Sequence, residues 1–315
     1  MFHVLKLAIF IGAIWFVWRE LSENNNIEGI WSQFVDALST GNWWLIVLAL
    51  LLMVVNWGSE GYKWKRLMKK QYPISLLLSV KAAFAGNATG IFTPNRIGGF
   101  IGRVMYLPKE QVLVGTMNTF VGNLAQTLAT FIFGVFGAFA LVCWPIPMDS
   151  IQGVYIDPLM PGIGFGIGLI FVLLIYFFPG VLVDGINKVK FLKKYGEKLH
   201  FLKEHGKLLL LEALLLSLFR YFVFAFQFYL MFIFFGVKID FLSCLMLVSF
   251  LYLIISFIPT LFGKLGVREG VAIPFFYHFA TEGEATSASF MLWTINVALA
   301  AVIGGVLVLF IKKKS

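Results

Sequence analysis

The sequence predicts an all-α polytopic membrane protein: six full spans plus two re-entrant helical hairpins in an inverted-topology repeat. Three observations carry this. The chain of 315 residues is 60% hydrophobic and only 13% charged, about half the charge of a soluble domain, with a mean hydropathy of +0.88. Its apolar stretches match the roughly 20 residues a helix needs to cross a bilayer. Its loop charges segregate by sign, and two apolar segments break at matched Pro, Gly and Arg positions. This composition excludes an ordinary soluble enzyme, a disordered regulator and a disulfide scaffold.

In chain order, full spans are expected at 4–19, 42–62, 111–142, 162–181, 207–235 and 286–311. The first resembles a signal peptide, but no small-x-small cleavage site precedes LSENNN, so it reads as a retained helix. Segments 74–108 and 241–280 are apolar but interrupted, at Thr93-Pro94-Asn95-Arg96-Ile97-Gly98-Gly99 and at Ile258-Pro259-Thr260-Leu261-Phe262-Gly263.

Charge sets the sides. Segment 63–73 carries five bases and no acid, 184–207 carries seven lysines, and the tail ends Lys312-Lys313-Lys314. Such segments belong in the cytoplasm. Segments 20–41, 143–161 and 281–285 carry acids without bases and belong outside. Counting crossings between these anchors forces 74–108 to begin and end inside, and 241–280 to begin and end outside. The order span, span, hairpin, span over 1–142 then recurs upside down over 162–311, joined by the external loop 143–161 and followed by the basic tail 312–315. Pro94, Gly98 and Arg103 have the same spacing as Pro259, Gly263 and Arg268. In inverted repeats of this kind the substrate lies where broken helices meet near the midplane.

Four of the six arginines, Arg96, Arg103, Arg220 and Arg268, fall within apolar or re-entrant segments. An arginine at membrane depth costs at least about 2.5 kcal/mol on insertion scales, so it needs a reason to be there. Guanidinium suits phosphate or carboxylate oxygens, and a helix restarting after a Pro–Gly break offers free N–H groups to an anion. A divided anion cradle is one reading; ion pairs with Glu60, Glu269 or carbonyls that hold the hairpins together are the other. The hairpin tips, Pro94–Gly98 and Pro259–Gly263, are expected to meet, so that Arg96, Arg103, Lys264 and Arg268 line one polar cavity with Glu60, Lys81, Asn87 and Arg220 on its walls. Asn56, Glu60 and Lys63 share one helix face, as do Arg220 and Gln227. Loop 184–207 suits either an amphipathic helix on anionic lipid or a solvated loop.

The formal charge of +9 reads as cytoplasmic loop lysine rather than nucleic-acid binding. Neither the four histidines nor Cys143 and Cys244 have metal-ligand spacing, and no nucleophile-elbow, zincin or P-loop motif occurs. No cofactor, metal or catalytic residue is expected.

TPNRIGGFIGR (93–103), IPTLFGKLGVRE (258–269) and NWGSEGYKWKRL (56–67) resemble the lysylphosphatidylglycerol synthase transmembrane, flippase-like family over essentially the whole chain. Gly99 stands where the family pattern has an acid, and Lys264 falls beside Gly263 and Gly266, where paired glycines are common. The resemblance implies handling of membrane lipids in a bacterial cytoplasmic membrane, in which the loop charges put both termini inside. Because these residues include no aminoacyl-transferase domain, it also implies a separate lipid-synthesis enzyme. Anionic phospholipid or polyprenyl phosphate suits the arginines. The alternatives are a small-solute or ion carrier and an integral-membrane lipid-modifying enzyme.

Overall fold

The computed structural model describes residues 2–22, 27–91, 93, 96–143, 159–188, 200–258 and 267–311, which form helices joined by turns with no strand among them. In order these are α1 (Phe2–Ser22), α2 (Ile27–Ser39), α3 (Trp44–Met68), α4 (Leu76–Gly90), α5 (Gly98–Val104), α6 (Val112–Cys143), α7 (Leu159–Phe177) and α8 (Pro179–Lys188). They continue with α9 (Lys207–Phe234), α10 (Phe241–Phe257), α11 (Val267–Phe276), α12 (Glu282–Trp293) and α13 (Leu299–Leu309). Local chemistry sets many of the ends. The Ser75 hydroxyl caps α4 and the Asp240 carboxylate caps α10, while Thr281 and Glu284 form a reciprocal capping box on α12. Gly236, at φ 84°, ends α9 in the left-handed conformation that glycine adopts without strain.

Four helical runs among the described residues are long and apolar enough to cross a membrane: Trp44–Met68, Lys109–Cys143, Lys207–Phe234 and Glu282–Leu309. These match four of the six expected spans, and a bent helix pair falls at a fifth. Phe2–Ser22 is one helix of 21 residues but not one of the four. Lys6 and Arg19 stand near its two ends, where long basic side chains reach out of an apolar layer. Lys6 donates from Nζ to the Leu309 carbonyl at 2.8 Å, tying α1 to the end of α13. The expected span 162–181 is bent by 81° where α7 gives way to α8. Pro179 causes this, since it lacks the N–H that would continue α7 and fits the first position of a new helix. The acidic segment 20–41, expected as a loop, contains α2.

Both interrupted segments are pairs of short helices. At 15 and 7 residues, α4 and α5 reach only about 22 and 10 Å, against a hydrocarbon core of about 30 Å. They run antiparallel: Gly98 lies against Thr89 and Gly102 against Ala85, so closely that a Cβ on either glycine would collide with a carbonyl of α4. In the second pair Phe250 of α10 meets Phe275 of α11 at 5.7 Å between ring centroids. Pro94, Pro259, Gly263, Lys264 and Gly266 lie outside the described residues, and so does the expected meeting of the tips.

The longest helix, α6, receives both pairs. Near its start Gly115 abuts Val104 and Leu107, at the far end of α5. Further along, Gly137 abuts Met246, Ser249 and Phe250, Gly134 abuts Leu253, and Phe131 stacks on Phe257 at 5.5 Å. Moving along either pair toward its break therefore means moving toward the middle of α6. The core beneath is aromatic and aliphatic, centred on α9 and α10, with Phe228, Phe232, Phe250 and Phe276 fully enclosed.

Candidate functional site

Glu60 lies on α3 and is only 2% exposed. A lone buried carboxylate is costly to desolvate, so it requires charged partners. Three cations supply them. Arg103 of α5 donates from Nη2 to Glu60 Oε1 at 2.6 Å, Lys63 lies 2.8 Å from Oε2, and Arg220 of α9 donates from Nη1 to Oε2. The i, i+3 spacing on α3 brings Lys63 to Glu60, whereas the two arginines arrive from elements remote in sequence.

The rest of the network fixes these groups. Lys63, fully buried, also donates to the Gly122 carbonyl and Ser217 Oγ, each at 3.0 Å. Arg220 donates from Nε to Asn56 Oδ1 at 2.8 Å and from Nη1 to Gln126 Oε1 at 3.0 Å. Its guanidinium lies 5.9 Å from the Trp57 ring centroid, within cation–π range. Trp57 is oriented in turn by its indole N–H, which donates to the Asn296 carbonyl at 3.2 Å. Asn296 falls in a π-helical turn, Thr294–Ala298, between α12 and α13. Asn87 Nδ2 donates to the Val297 carbonyl of the same turn at 2.9 Å. A π turn offsets the i→i−4 ladder, and here its carbonyls accept from two side chains of the first half of the chain.

These side chains surround a cavity of about 350 Å³ lined by residues of α3, α4, α5, α6 and α9 together with Arg96. Of the residues expected at a site, it brings together Glu60, Asn87, Arg96, Arg103 and Arg220. Arg96 stands in the break itself at φ 58°, a left-handed conformation uncommon outside glycine. Two buried polar atoms of cavity-lining side chains have no hydrogen-bond partner among the described residues: Arg103 Nη1 and Asn87 Oδ1. Among the lining residues Glu60 is the one acid, so the cluster of Glu60 with Lys63, Arg103 and Arg220 carries a positive excess.

Lys81 is a correction. It lines a separate pocket with Ser75, Tyr106 and Phe310, because its position on α4 faces the return of α5 and the end of α13 rather than α3. Gln227 does not join Arg220 at the cavity, since its amide donates to the Ala49 carbonyl at 2.8 Å as a plain interhelical bond. Arg268 and Glu269 fall within α11, and their side chains, like Lys264, lie outside the described residues. Asn123 and Gln126, legible in the sequence as amides on the span 111–142, also line it; the lining residues not singled out in the sequence are Trp57, Ala83, Gly86, Thr119, Thr127 and Thr130. The spacing of these threonines with the two amides along α6 was the signal that would have found them.

Helices of membrane-spanning length around a buried, cation-rich cavity define a multi-pass membrane protein with an internal polar site. No curated protein matches the sequence. The family model for the lysylphosphatidylglycerol synthase transmembrane region matches residues 3–305, and the chain belongs to that family.

Proposed function

We propose that the chain is a lipid transporter of the bacterial cytoplasmic membrane that takes an anionic or phosphate-bearing lipid headgroup into the cavity beside Glu60 and moves it between leaflets. The carrying observation is the charge imbalance there: three cations, two of them buried, share one carboxylate, and Arg103, at 7% exposure, has Nη1 unpartnered. A bridge built only to hold helices would satisfy both ends of the guanidinium fork; an unpartnered buried donor next to excess positive charge suits a phosphate oxygen. Membership of a family named for lysylphosphatidylglycerol supports lipid as the cargo.

On this reading the two short-helix pairs are re-entrant and enter from opposite faces, as halves of an inverted repeat with both termini in the cytoplasm. Their approach to the middle of α6 from opposite ends supports this, as does the sign pattern of the loops. Irregular backbone at membrane depth is tolerated where it lines a polar cavity. On this reading the protein acts as a carrier rather than an enzyme.

The test is native mass spectrometry of the purified protein, together with transbilayer movement of a tail-labelled phosphatidylglycerol in proteoliposomes. Bound anionic lipid and protein-dependent movement are expected. Absence of both, or a covalently altered lipid product, overturns the reading.

A further inference from the structure

The wall of the cavity formed by α6 is a row of polar side chains: Thr119, Asn123, Gln126, Thr127 and Thr130. Thr119, Asn123, Gln126 and Thr130 follow one another at steps of four, three and four, and Thr127 lies four beyond Asn123, so the row forms one broad face that extends about 16 Å along the axis. Thr119, Gln126 and Thr130 face inward, but Asn123 and Thr127 are exposed. Thr127 and Thr130 turn their hydroxyls back onto their own helix, donating to the carbonyls of Asn123 and Gln126 at 3.2 Å. The Asn123 amide has no hydrogen-bond partner among the described residues. Exposed at the edge of the cavity, this amide offers a free donor and a free acceptor to whatever enters there.

The neighbours show where this opening lies. Toward the start of α6 the groove is closed by Val104 and Leu107 against Gly115, and toward its end by Leu253 against Gly134 and Phe257 against Phe131. Between these closures the exposed lining residues are Arg96, Asn123 and Thr127. Asn123 is 11 residues from Val112, and Thr127 is 16 from Cys143, about 16 and 24 Å from the two helix ends. Both lie well inside a helix long and apolar enough to cross a membrane, so on the proposed reading the opening falls at the depth of the hydrocarbon. Phe120 and Ile101, both exposed, give the surroundings of the opening the apolar surface that acyl chains require.

We propose that Arg96, Asn123 and Thr127 frame a lateral portal through which a phosphate-bearing headgroup passes from the bilayer to Arg103 Nη1, its acyl chains staying outside. This rests on the reading of the cavity as a lipid site. Asn123 supplies both a donor and an acceptor at the threshold, and Arg103 supplies the unpartnered donor inside.

The experiment uses the full chain in proteoliposomes of phosphatidylcholine with phosphatidylglycerol, following a tail-labelled phosphatidylglycerol, alongside native mass spectrometry for retained lipid. Asn123→Leu combined with Thr127→Val is expected to slow movement by about tenfold, the loss of one good hydrogen bond at the rate-limiting passage. Phe136→Leu, elsewhere on the exposed face of α6, serves as the control with unchanged rate. If the double variant does not fold, judged by its melting curve, Asn123→Leu alone decides. A phosphatidylglycerol with a diazirine close to its headgroup is expected to crosslink to the α6 segment around 123–127, and glycerol phosphate in the buffer is expected neither to compete nor to be carried. Parent-like movement in the portal variants, with crosslinks elsewhere, overturns the portal while lipid transport by the parent leaves the cavity reading standing. Carriage of soluble glycerol phosphate in place of lipid overturns both.

Discussion

Glu60 holds three cations by one carboxylate, and that asymmetry makes it the most sensitive residue of the cluster. Glu60→Gln leaves Lys63, Arg103 and Arg220 repelling one another in a desolvated site, and removing one partner of a buried pair costs about 3–5 kcal/mol. A large fall in the melting temperature of the detergent-purified protein is expected, partly recovered in a Glu60→Gln, Lys63→Met double variant that removes one of the stranded charges. A parent-like melting curve for Glu60→Gln would mean that the cations do not depend on it. Arg103→Lys asks a different question. A lysine keeps the charge and can reach one oxygen of Glu60, but it offers no second arm toward the cavity. Lipid movement is expected to fall about tenfold or more with the fold retained. Full movement and lipid retention in that variant would remove Arg103 Nη1 from the proposed site.

Between helices, two contacts decide how elements are held. The pairing of α4 with α5 depends on bare backbone at Gly98 and Gly102, where a Cβ would collide with carbonyl oxygens rather than with flexible side chains. Backbone cannot give way as a side chain can, so Gly102→Ala is expected to destabilise by about 1–3 kcal/mol and to pull Arg103 away from Glu60. Increased protease sensitivity near 91–97 would report the opening, and an unchanged digestion pattern would count against it. The second contact docks the turn before α9 on α6. His205, 5% exposed, donates from Nε2 to Asn118 Oδ1 at 2.8 Å, which requires a hydrogen on that nitrogen. Burial, with a smaller contribution from nearby Lys70, lowers its pKa below the usual histidine value. The unfolded chain therefore binds this proton more tightly than the folded one. The stabilisation is complete above the ordinary pKa of about 6.5, and is lost as pH falls through it, with a slope of at most about 1.4 kcal/mol per pH unit. Melting temperatures recorded from pH 8 to pH 5 are expected to fall less steeply for His205→Gln than for the parent; equal slopes would exclude the histidine as the cause.

For the whole molecule, the proposed inverted repeat makes a prediction about sides. In a background with Cys143 and Cys244 replaced, single cysteines near 30, 150 and 283 are expected to react with an impermeant thiol reagent on intact cells. Those near 66, 193 and 313 are expected to react only after lysis. Labelling of 30 and 193 from the same side would eliminate the arrangement. The bend of 81° between α7 and α8 adds weight to the test at 193, which lies beyond it, because α8 need not continue the direction of α7. The π turn at Thr294–Ala298 links the halves in another way. Its carbonyls hold Trp57 and Asn87 at the cavity, so the last membrane-crossing run orients side chains contributed by the first half.

Composition and loop charge alone were enough to define a polytopic helical membrane protein, because crossing a bilayer is a demand on each segment separately and each segment carries its own answer. The breaks at 91–97 and after Ile258 were legible for the same reason, as proline and glycine interrupt a helix wherever it packs. The Glu60–Lys63 pair was equally local, lying within one turn of α3. Tertiary structure alone decided which remote residues complete the site. Arg103 and Arg220 are 43 and 160 residues from Glu60 in the chain, and Lys81, which looked equivalent by composition, faces a different pocket. The row on α6 was likewise visible as spacing but not as a cavity wall. A buried charge does not choose its partner by sequence distance; it is held by whichever opposite charge the packing of helices brings within reach, and here that packing is set by bare glycine contacts and aromatic stacks far from the charges themselves.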